Sequence, residues 1–430
     1  MERYERYKDS GVKWIGEIPE HWEISCLRRI LKKYSVKGYA DKQLLSVTRE
    51  KGVILRGAKG DDGNNNIIPE DLSGYKHVKK GQFVINKMKS WQGSYGVSCY
   101  EGIVSPAYFV YDLNFEDKRF FSWAIRSKNY VPFFMQYSKG IRVDQWDLTP
   151  ENVKCIPFFI PPKSEQTAIA NYLDSVTSKI DEAISQQQKM IDLLNERKQI
   201  IIQNAVTKGL DPNAKMKDSG VEWIGEIPEH WEVIKLKYIF RRIADGTHFS
   251  PETIEEGMPY ITATNVRGKG IDFNETKKIR QKDYEALVAA GCKPQLNDIL
   301  LVKDGATTGR VGLMIDDTDC VTLSSVAMLS PQKKYSHLYL MYMMMSDFMQ
   351  KQIILSMAGS AMPRITLIKL SNFIGIVPPM DEQESIVTYM EKASMPIDSA
   401  IKSAEKQIFL LQERKQIIIN DVVTGKVKVV

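Results

Sequence analysis

The sequence reads KDSGVKWIGEIPEHWEI at residues 8–24 and KDSGVEWIGEIPEHWEV at residues 217–233. The two copies differ only where Lys13 becomes Glu222 and Ile24 becomes Val233, and they are 209 residues apart. Self-similarity of this length within one chain indicates an internal repeat. We therefore interpret the chain as two copies of one structural plan.

A second repeat begins at Pro161 and at Pro378, and its copies align without a gap at an offset of 217 residues. Its most similar part is ERKQIII, which is identical at residues 196–202 and 413–419. Since this offset exceeds the first by eight residues, the block between the repeats is eight residues longer in the second half. The two blocks scarcely match, so the sequence indicates one scaffold that carries two different variable domains.

The second repeat predicts long helices with a coiled-coil seam. Each copy starts with two prolines and a short amphipathic turn, and a break should follow at Pro396, because proline is tolerated only in the first turn of a helix. We predict the long helices at roughly residues 178–205 and 395–422, packed on each other; separate core helices in separate domains are the alternative. The heptad pattern places in the seam Ile180, Ala183, Gln187, Met190, Leu194 and Ile201 of the first copy, and Ile397, Ala400, Ala404, Gln407, Leu411 and Ile418 of the second.

The variable blocks contain short alternating runs, such as residues 81–85 and 298–302, between loops rich in Gly, Asn and Ser. We therefore predict an α+β fold, in which two α/β domains are separated by two long, antiparallel-packed, coiled-coil-like helices with a pseudo-two-fold internal repeat. The predicted boundaries are 1–157 for the first variable domain, 158–212 for the central helical region, 213–374 for the second variable domain and 375–430 for the C-terminal helical region.

Length and composition indicate a multidomain globular protein. The chain has 430 residues, of which 43% are hydrophobic and 26% charged. Neither a secretory signal nor an apolar run long enough to span a membrane is present, so we expect a cytoplasmic protein without a membrane partner. The five cysteines include no C-x-x-C pair. This argues against both a disulfide framework and a zinc site.

The charge is distributed unevenly along the chain. Residues 24–156 hold 22 Lys/Arg and 13 Asp/Glu, a net charge of +9, and residues 233–373 hold 18 and 14, a net of +4. Because the whole chain has a net charge of +6, the remaining residues sum to −7. Two basic blocks between acidic connectors are consistent with two surfaces that face one polyanion.

The sequence contains no motif that predicts catalysis. Residues 305–310, GATTGR, lack the spacing and the lysine of a phosphate-binding loop, and no methyl-transfer motif is present. Asp272, Glu275 and Lys277 resemble a nuclease pattern only weakly. We predict neither a catalytic residue nor a metal site in this chain.

What remains is recognition chemistry, because loop-borne polar and basic side chains are those that reach base edges and phosphates. In the first block the candidates for DNA contact are Arg49, Lys51, Arg56, Lys59, Asn64, Lys87, Lys89, Trp91, Gln92 and Arg142. In the second block they are Thr247, His248, Asn265, Arg267, Lys269, Lys303, Thr307, Thr308, Arg310, Ser360 and Arg364. The candidates for helix pairing or partner binding are Ile180, Gln187, Leu194, Ile201, Ile397, Ala404, Leu411 and Ile418.

These features resemble the specificity subunits of type I restriction-modification systems. The resemblance rests on the duplicated opening, on Pro-Pro-x-x-Glu-Gln at 161–166 and 378–383, and on Leu-Leu-x-Glu-Arg-Lys-Gln-Ile at 193–200 and 410–417. In the second block DGTH at 245–248, NDIL at 297–300 and TGRVG at 308–312 also resemble the target recognition domains of that family. The first block keeps only KGQ at 80–82 and YGV at 95–97.

The resemblance implies a non-catalytic subunit that reads an asymmetric bipartite site on double-stranded DNA through two target recognition domains. It also implies two methyltransferase subunits held by the constant helices, and restriction subunits that join for cleavage. S-adenosylmethionine, ATP and Mg²⁺ would belong to those partners, and this chain would bind no cofactor. Two alternatives stay open at this point: a coiled-coil adaptor without specific DNA recognition, and a stand-alone nuclease with an unrecognised site.

Overall fold

The computed structural model describes residues 2–57, 68–140, 146–357 and 363–429. The chain forms two compact units. Unit 1 comprises residues 1–188 and 405–430, and unit 2 comprises residues 189–404. Four of the predicted contact residues lie outside the described residues: Lys59, Asn64, Arg142 and Ser360.

Unit 1 is built on a four-stranded antiparallel sheet in the order β4-β11-β8-β9, backed by short helices. Phe83, Phe121 and Phe158 are fully buried in its core. Its elements in chain order are β1 (Tyr7–Asp9), β2 (Glu17–Pro19), β3 (Glu23–Cys26), α1 (Leu27–Ile30), β4 (Leu31–Tyr34), β5 (Leu45–Thr48), β6 (Gly52–Leu55), β7 (Lys76–Val78), β8 (Phe83–Asn86), β9 (Tyr95–Val97), β10 (Gly102–Val104), β11 (Tyr108–Leu113), α2 (Lys118–Arg126), α3 (Val131–Tyr137), β12 (Ser138–Lys139), β13 (Asp147–Leu148), α4 (Pro150–Cys155), β14 (Pro157–Ile160) and the start of α5 (Lys163–Lys208).

Unit 2 has its own four-stranded antiparallel sheet, in the order β18-β26-β23-β24. Leu301, Tyr339 and Met343 are among its fully buried core residues. After α5 the elements are β15 (Met216–Asp218), β16 (Glu226–Pro228), β17 (Glu232–Lys235), α6 (Leu236–Ile239), β18 (Phe240–Asp245), β19 (Met258–Ile261), β20 (Val266–Arg267), β21 (Gly270–Ile271), β22 (Lys277–Ile279), α7 (Gln281–Ala289), β23 (Ile299–Val302), β24 (Val311–Leu313), β25 (Val321–Thr322), β26 (Val326–Pro331), α8 (His337–Met345), α9 (Asp347–Ser356), α10 (Leu367–Ser371), β27 (Ile374–Val377) and α11 (Met380–Val423). The end of α11 belongs to unit 1.

The two sheets are equivalent although their sequences scarcely match. The turn before β8 and the turn before β23 are built alike: Gln82 Oε1 accepts from Lys79 N at 2.7 Å, and Asp298 Oδ2 accepts from Gln295 N at 2.9 Å. The preceding residue has a positive φ in both turns, 86° at Gly81 and 69° at Asn297. Glycine and asparagine tolerate this conformation best, so two different sequences specify the same turn.

The two long helices are continuous, so the predicted break before residue 178 and at Pro396 is wrong. Helix α5 has 46 residues and α11 has 44, with Pro396 inside α11. A proline removes one backbone hydrogen bond from a helix interior, but it does not prevent burial of the turns on either side. Met390 and Ile397 are both buried, and we attribute the continuity of α11 to this packing.

In each unit a buried tryptophan joins the beginning of one long helix to the end of the other. In unit 1 the Trp22 indole Nε1 donates to Glu165 Oε2 at the start of α5, at 3.0 Å, and the ring lies against Gly425 after the end of α11. In unit 2 Trp231 Nε1 donates to Glu382 Oε2 at the start of α11, at 2.9 Å. Its ring lies against Gly209 after the end of α5. The paired helix segments therefore run antiparallel within each unit, which confirms the predicted packing of the helices on each other.

Each helix pair is also joined by an ion pair between repeated residues. Lys415 Nζ lies 2.6 Å from Asp181 Oδ2 in unit 1, and Lys198 Nζ lies 2.5 Å from Asp398 Oδ1 in unit 2. Lys198 is the more buried of the two lysines, with 17% of its side chain exposed. The same Lys and Asp positions of the repeat therefore hold the helices together in both units.

The buried stripe of the helices departs from the strict heptad. Met190 is 44% exposed and the adjacent Ile191 is buried instead, while Ala400 and Gln407 are exposed. The stripe of an α-helix drifts relative to a seven-residue repeat, because 3.6 residues per turn do not divide seven evenly. Of the pairing candidates, Ile180, Ile397 and Ala404 are buried, and Gln187, Leu194, Ile201, Leu411 and Ile418 are half-buried.

Candidate nucleic-acid interface

A hairpin at the same place in each sheet carries predicted contact residues of both variable blocks. Strands β8 and β9 pair Ile85 with Tyr95, and strands β23 and β24 pair Leu301 with Val311. The connections, residues 87–94 and 303–310, therefore have equal length, and we call them the contact hairpins. Their seventh residues, Gly93 and Gly309, adopt φ values of 97° and 99°.

The contact hairpins have the same length and the same glycine position but differ in chemistry. The first reads KMKSWQGS and the second reads KDGATTGR, so only the initial lysine and the glycine are common to both. The first hairpin holds Lys87, Lys89, Trp91 and Gln92, and the second holds Lys303, Thr307, Thr308 and Arg310. The structure thus brings together, on one element of each domain, eight residues that the sequence singled out separately.

In unit 1 the contact hairpin borders a cleft of about 1100 Å³. Arg49, Lys51 and Gln92 line this cleft together, although Gln92 is far from the other two in sequence. Arg49 and Lys51 lie in the turn between β5 and β6, and both are exposed. The first domain therefore presents basic and amide side chains from two loops toward one concave surface.

Arg126, which the sequence did not single out, joins these two loops. Its guanidinium donates to four backbone carbonyls, those of Gly93 and Tyr95 at 2.7 and 2.9 Å and those of Arg49 and Glu50 at 2.8 and 2.7 Å. Burial lowers the pKa of the Arg126 guanidinium. Carbonyl acceptors leave no signature in a sequence, so only the structure could reveal this role.

In unit 2 the contact hairpin borders a smaller cleft of about 430 Å³, lined by Thr307, Thr308 and Arg310 together with Gln199 of α5. Arg310 is exposed. Thr308 Oγ1 donates to Gly305 O within the hairpin, at 2.7 Å. Arginine and threonine at the mouth of a cleft are side chains that can reach base edges or phosphates.

Three other predicted contacts of unit 2, His248, Arg267 and Lys269, already have side-chain partners within the domain. His248 is exposed, and its Nε2 lies 3.5 Å from Asp245 Oδ2. Arg267 makes ion pairs of 3.4 and 3.5 Å with Asp272 and Glu275, and Lys269 Nζ donates to the hydroxyl of Tyr342 at 2.7 Å.

Two of the predicted contacts of unit 2 outside the contact hairpin are buried. Asn265 is 3% exposed, and its side chain bonds Thr262 N and Asp272 O. Thr247 is 8% exposed, and its hydroxyl bonds the backbone of Phe249. As placed, both side chains satisfy the backbone of their own loops.

A lysine opens each contact hairpin and is held by carboxylates. Lys87 Nζ lies 2.8 Å from Asp147 Oδ2. Lys303 Nζ lies 2.9 Å from Asp304 Oδ2 and 3.3 Å from Asp245 Oδ2. The two lysines differ in exposure, with 32% of the Lys87 side chain and 2% of the Lys303 side chain open to solvent.

The helices of this chain carry a repeated exposed apolar face. Leu193 and Ile200 of α5 are 65% and 51% exposed, and the equivalent Leu410 and Ile417 of α11 are 51% and 58% exposed. Residues seven apart lie on one face of a helix. We refer to these two pairs as the exposed leucine faces; the first lies in unit 2 and the second in unit 1.

Comparisons with known proteins show what this chain is similar to. The sequence model described as "Type I restriction modification DNA specificity domain" matches residues 228–407. The MjaVIII type I restriction enzyme specificity subunit of Methanocaldococcus jannaschii is 26% identical over 98% of this chain and 97% of its own. The EcoBI specificity subunit of Escherichia coli is 26% identical over 62% of this chain and 57% of its own. Residues 228–407 therefore match the type I DNA specificity domain, and the chain is similar to type I specificity subunits over nearly its whole length.

Structural comparison supports the fold that was predicted for this specificity subunit. A solved structure from work on complex assembly and conformational transition of the type I R-M system is similar to it, with a TM-score of 0.64 and 13% sequence identity. The alignment covers 95% of this chain and 99% of the other chain. The mixed α and β fold with long helices is therefore confirmed. The matched DNA specificity domain, together with the similarity to type I specificity subunits over nearly the whole chain, supports a non-catalytic subunit that confers DNA specificity over the adaptor and nuclease alternatives.

Three further observations bear on the chemistry of this specificity subunit. Its five cysteines are free, and burial raises the pKa of the Cys320 thiol to about 12. Across the part of the chain that the structure describes, no group of three or more His, Cys, Asp or Glu residues could hold a metal ion. None of the described helices is long and apolar enough to cross a membrane.

Proposed function

We propose that this specificity subunit recognises an asymmetric bipartite DNA site, with each variable domain reading one half-site. The observation that carries the proposal is the pair of contact hairpins, which have equal length, a glycine with positive φ at the same place and different side chains. One scaffold presented twice with different chemistry suits two different half-sites. The net charges of +9 and +4 on the two variable blocks favour contact with phosphates at both.

We propose that the exposed leucine faces bind two methyltransferase subunits, one on each face. Large apolar side chains on a helix that remain more than half exposed indicate a surface that a partner covers. Because the face is repeated in each unit, the same partner surface can bind twice. Restriction subunits would join this assembly for cleavage.

The cofactors of the reaction would lie in the partners. S-adenosylmethionine would be bound by the methyltransferase subunits, and ATP and Mg²⁺ by the restriction subunits. We expect the complex to act in the cytoplasm. The specificity subunit itself would contribute DNA contacts and partner contacts only.

Binding measurements on the specificity subunit, with and without its methyltransferase partner, test the proposal. The chain alone should bind DNA weakly and without sequence preference, with an affinity that falls as salt increases. With the partner, one duplex sequence should bind at least about 1,000-fold more tightly than unrelated DNA. An assembled complex that shows no sequence preference would contradict the proposal.

A further inference from the structure

Lys303 occupies an unusual place for a residue on a DNA-reading hairpin. Only 2% of its side chain is exposed, and its ammonium group lies between the carboxylates of Asp304 and Asp245. Asp304 Oδ1 in turn lies 3.3 Å from Nε of Arg364. A lysine that contacts a phosphate from this position would have to leave both carboxylates.

The group joins three chain segments that are distant in sequence. Asp245 ends β18 and precedes Thr247 and His248, Lys303 and Asp304 open the contact hairpin, and Arg364 lies before α10. Backbone hydrogen bonds also join the hairpin to the Arg364 segment, since Lys303 O accepts from Ile365 N at 2.8 Å and Gly305 N donates to Pro363 O at 3.0 Å. Each segment carries predicted DNA contacts.

The charges of the group cancel, because two cations face two carboxylates. A lysine neutralised in this way releases no counterion when DNA binds, whereas each phosphate contact adds about 0.9 to the slope of log affinity against log salt. We propose that Lys303 is a positioning residue of the second recognition domain, which fixes the contact hairpin against the loops of Asp245 and Arg364 and does not itself contact DNA.

In unit 1 the first lysine of the contact hairpin is also held by a carboxylate, but the partner residue differs. Lys87 O accepts from Leu148 N at 3.2 Å, as Lys303 O accepts from Ile365 N, so Asp147 stands where unit 2 has Arg364. Lys87 binds Asp147 directly. In unit 2 that position is an arginine and the carboxylates come from Asp304 and Asp245. The lysine is common to both hairpins while its partners differ, which suits a positioning role that each domain meets in its own way.

The inference rests on the proposed function, and the wild-type complex tests that function separately. The first step is to determine the methylated site of the wild-type chain with its methyltransferase partner by sequencing methylated DNA. Absence of a bipartite site in the wild type would contradict the proposed function and not the role of Lys303. Duplexes with that site and single-base changes in each half-site then serve as probes.

The variant Lys303→Met removes the charge and keeps most of the length of the side chain. We expect discrimination against single-base changes in the half-site read by unit 2 to fall about tenfold, with discrimination in the other half-site unchanged. The salt slope should stay within about 0.3 of the wild-type value. The matched variant Lys87→Met should reduce discrimination in the half-site read by unit 1 alone.

Two results would overturn the inference. A salt slope that falls by about one with unchanged discrimination would show that Lys303 contacts a phosphate. Unchanged discrimination and slope together would show that it has no part in recognition.

If Lys303→Met fails to fold, Asp304→Asn answers the same question, because it keeps the shape of the group and weakens its hold on Lys303 and Arg364. This variant should lose discrimination in the same half-site. The double variant Lys303→Met, Asp304→Asn, which again balances the charges, should not recover discrimination, because the ion pairs that fix the hairpin are still missing. Recovery would show that charge imbalance and not positioning caused the loss, which would contradict the inference. Unchanged discrimination in Asp304→Asn would contradict the inference.

Discussion

At the scale of single residues, the repeated motifs form the joints between recognition domains and helices. The glutamate of each Pro-Pro-x-x-Glu-Gln motif accepts from a buried tryptophan and also contacts a neighbouring histidine, His21 in unit 1 at 2.6 Å and His230 in unit 2 at 2.5 Å. The glutamine that follows donates back to the first proline of the motif, at 2.9 Å in unit 1 and 2.8 Å in unit 2. These hydrogen bonds explain why both copies of the repeat have the same Trp, Glu and Gln residues.

Gly425 is the joint residue whose replacement should be most damaging. Its φ is 71°, and a Cβ there would overlap the ring of Pro19 as well as approach Trp22. Gly425→Ala should therefore lower the free energy of unfolding by about 2–4 kcal/mol, the sum of left-handed strain and displaced packing. Gly11→Ala is the matched control, since φ is 72° but nothing lies within 4 Å of the added carbon.

The control should cost only about 1–2 kcal/mol, the strain alone. Urea unfolding followed by circular dichroism measures both variants. Equal losses for Gly425→Ala and Gly11→Ala would show that Pro19 and Trp22 move aside at no cost, which would contradict the tight joint.

Sequence reasoning could find the joint residues but not their partners. Trp22, Trp231 and the Glu-Gln pairs could be found from the sequence, because they are identical in the two copies of the repeat. It could not reveal Arg126, whose acceptors are backbone carbonyls, nor the burial of Lys303, which depends on Asp245 from another strand. Contacts that join distant segments follow from tertiary structure and leave no local pattern.

At the scale of elements, the long helices show how packing overrides a local preference. Proline has the lowest helix propensity, yet α11 continues through Pro396. The sequence predicted a helix on either side of it correctly and the boundary between them wrongly. The two four-stranded sheets could not be assigned from the sequence, because short strands with different residues carry no topological signal.

Pro396→Ala should stabilise the chain. The change restores a backbone donor in the middle of α11 and removes the steric conflict of the ring, so the free energy of unfolding should rise by about 1–3 kcal/mol. Lys179→Ala, at the equivalent exposed position of α5, should change it by less than about 0.5 kcal/mol. Thermal and urea unfolding compare the two, and a loss of stability in Pro396→Ala would show that α11 requires the proline.

Two positions in one turn of α5 should separate helix packing from partner binding. Ile191 is 7% exposed and Leu193 is 65% exposed. Ile191→Ala should lower the free energy of unfolding by about 2–4 kcal/mol, because it leaves a cavity. Leu193→Ala should leave stability within about 0.5 kcal/mol but weaken binding of the methyltransferase partner.

Leu410→Ala is the counterpart of Leu193→Ala on the second exposed leucine face. Light scattering with the partner should show that the double variant Leu193→Ala, Leu410→Ala binds fewer methyltransferase subunits than the wild type. Full assembly of the double variant at wild-type affinity would argue against the exposed leucine faces as the partner sites.

At the scale of the whole molecule, duplication explains why the two-part organisation could be predicted from the sequence and the common sheet could not. The nearly identical repeats exposed the two-part plan and the helical regions directly. The variable blocks concealed a common sheet, because the core of each is filled by different side chains, aromatic around Phe83 and Phe121 in unit 1 and rich in methionine around Met341 and Met343 in unit 2. Recognition residues differ for a functional reason, so sequence comparison of the two blocks could not align the contact hairpins.

Two equivalent domains with different contact hairpins should read two different half-sites. Methylated-DNA sequencing of a host that carries this chain and its methyltransferase partner tests it most directly. We predict methylation at an asymmetric site, two dissimilar half-sites separated by a gap of fixed length. Replacing residues 88–94 with residues 304–310 should change only one of the half-sites. A palindromic or uninterrupted methylated site, or one that stays unaltered after this exchange, would contradict the account.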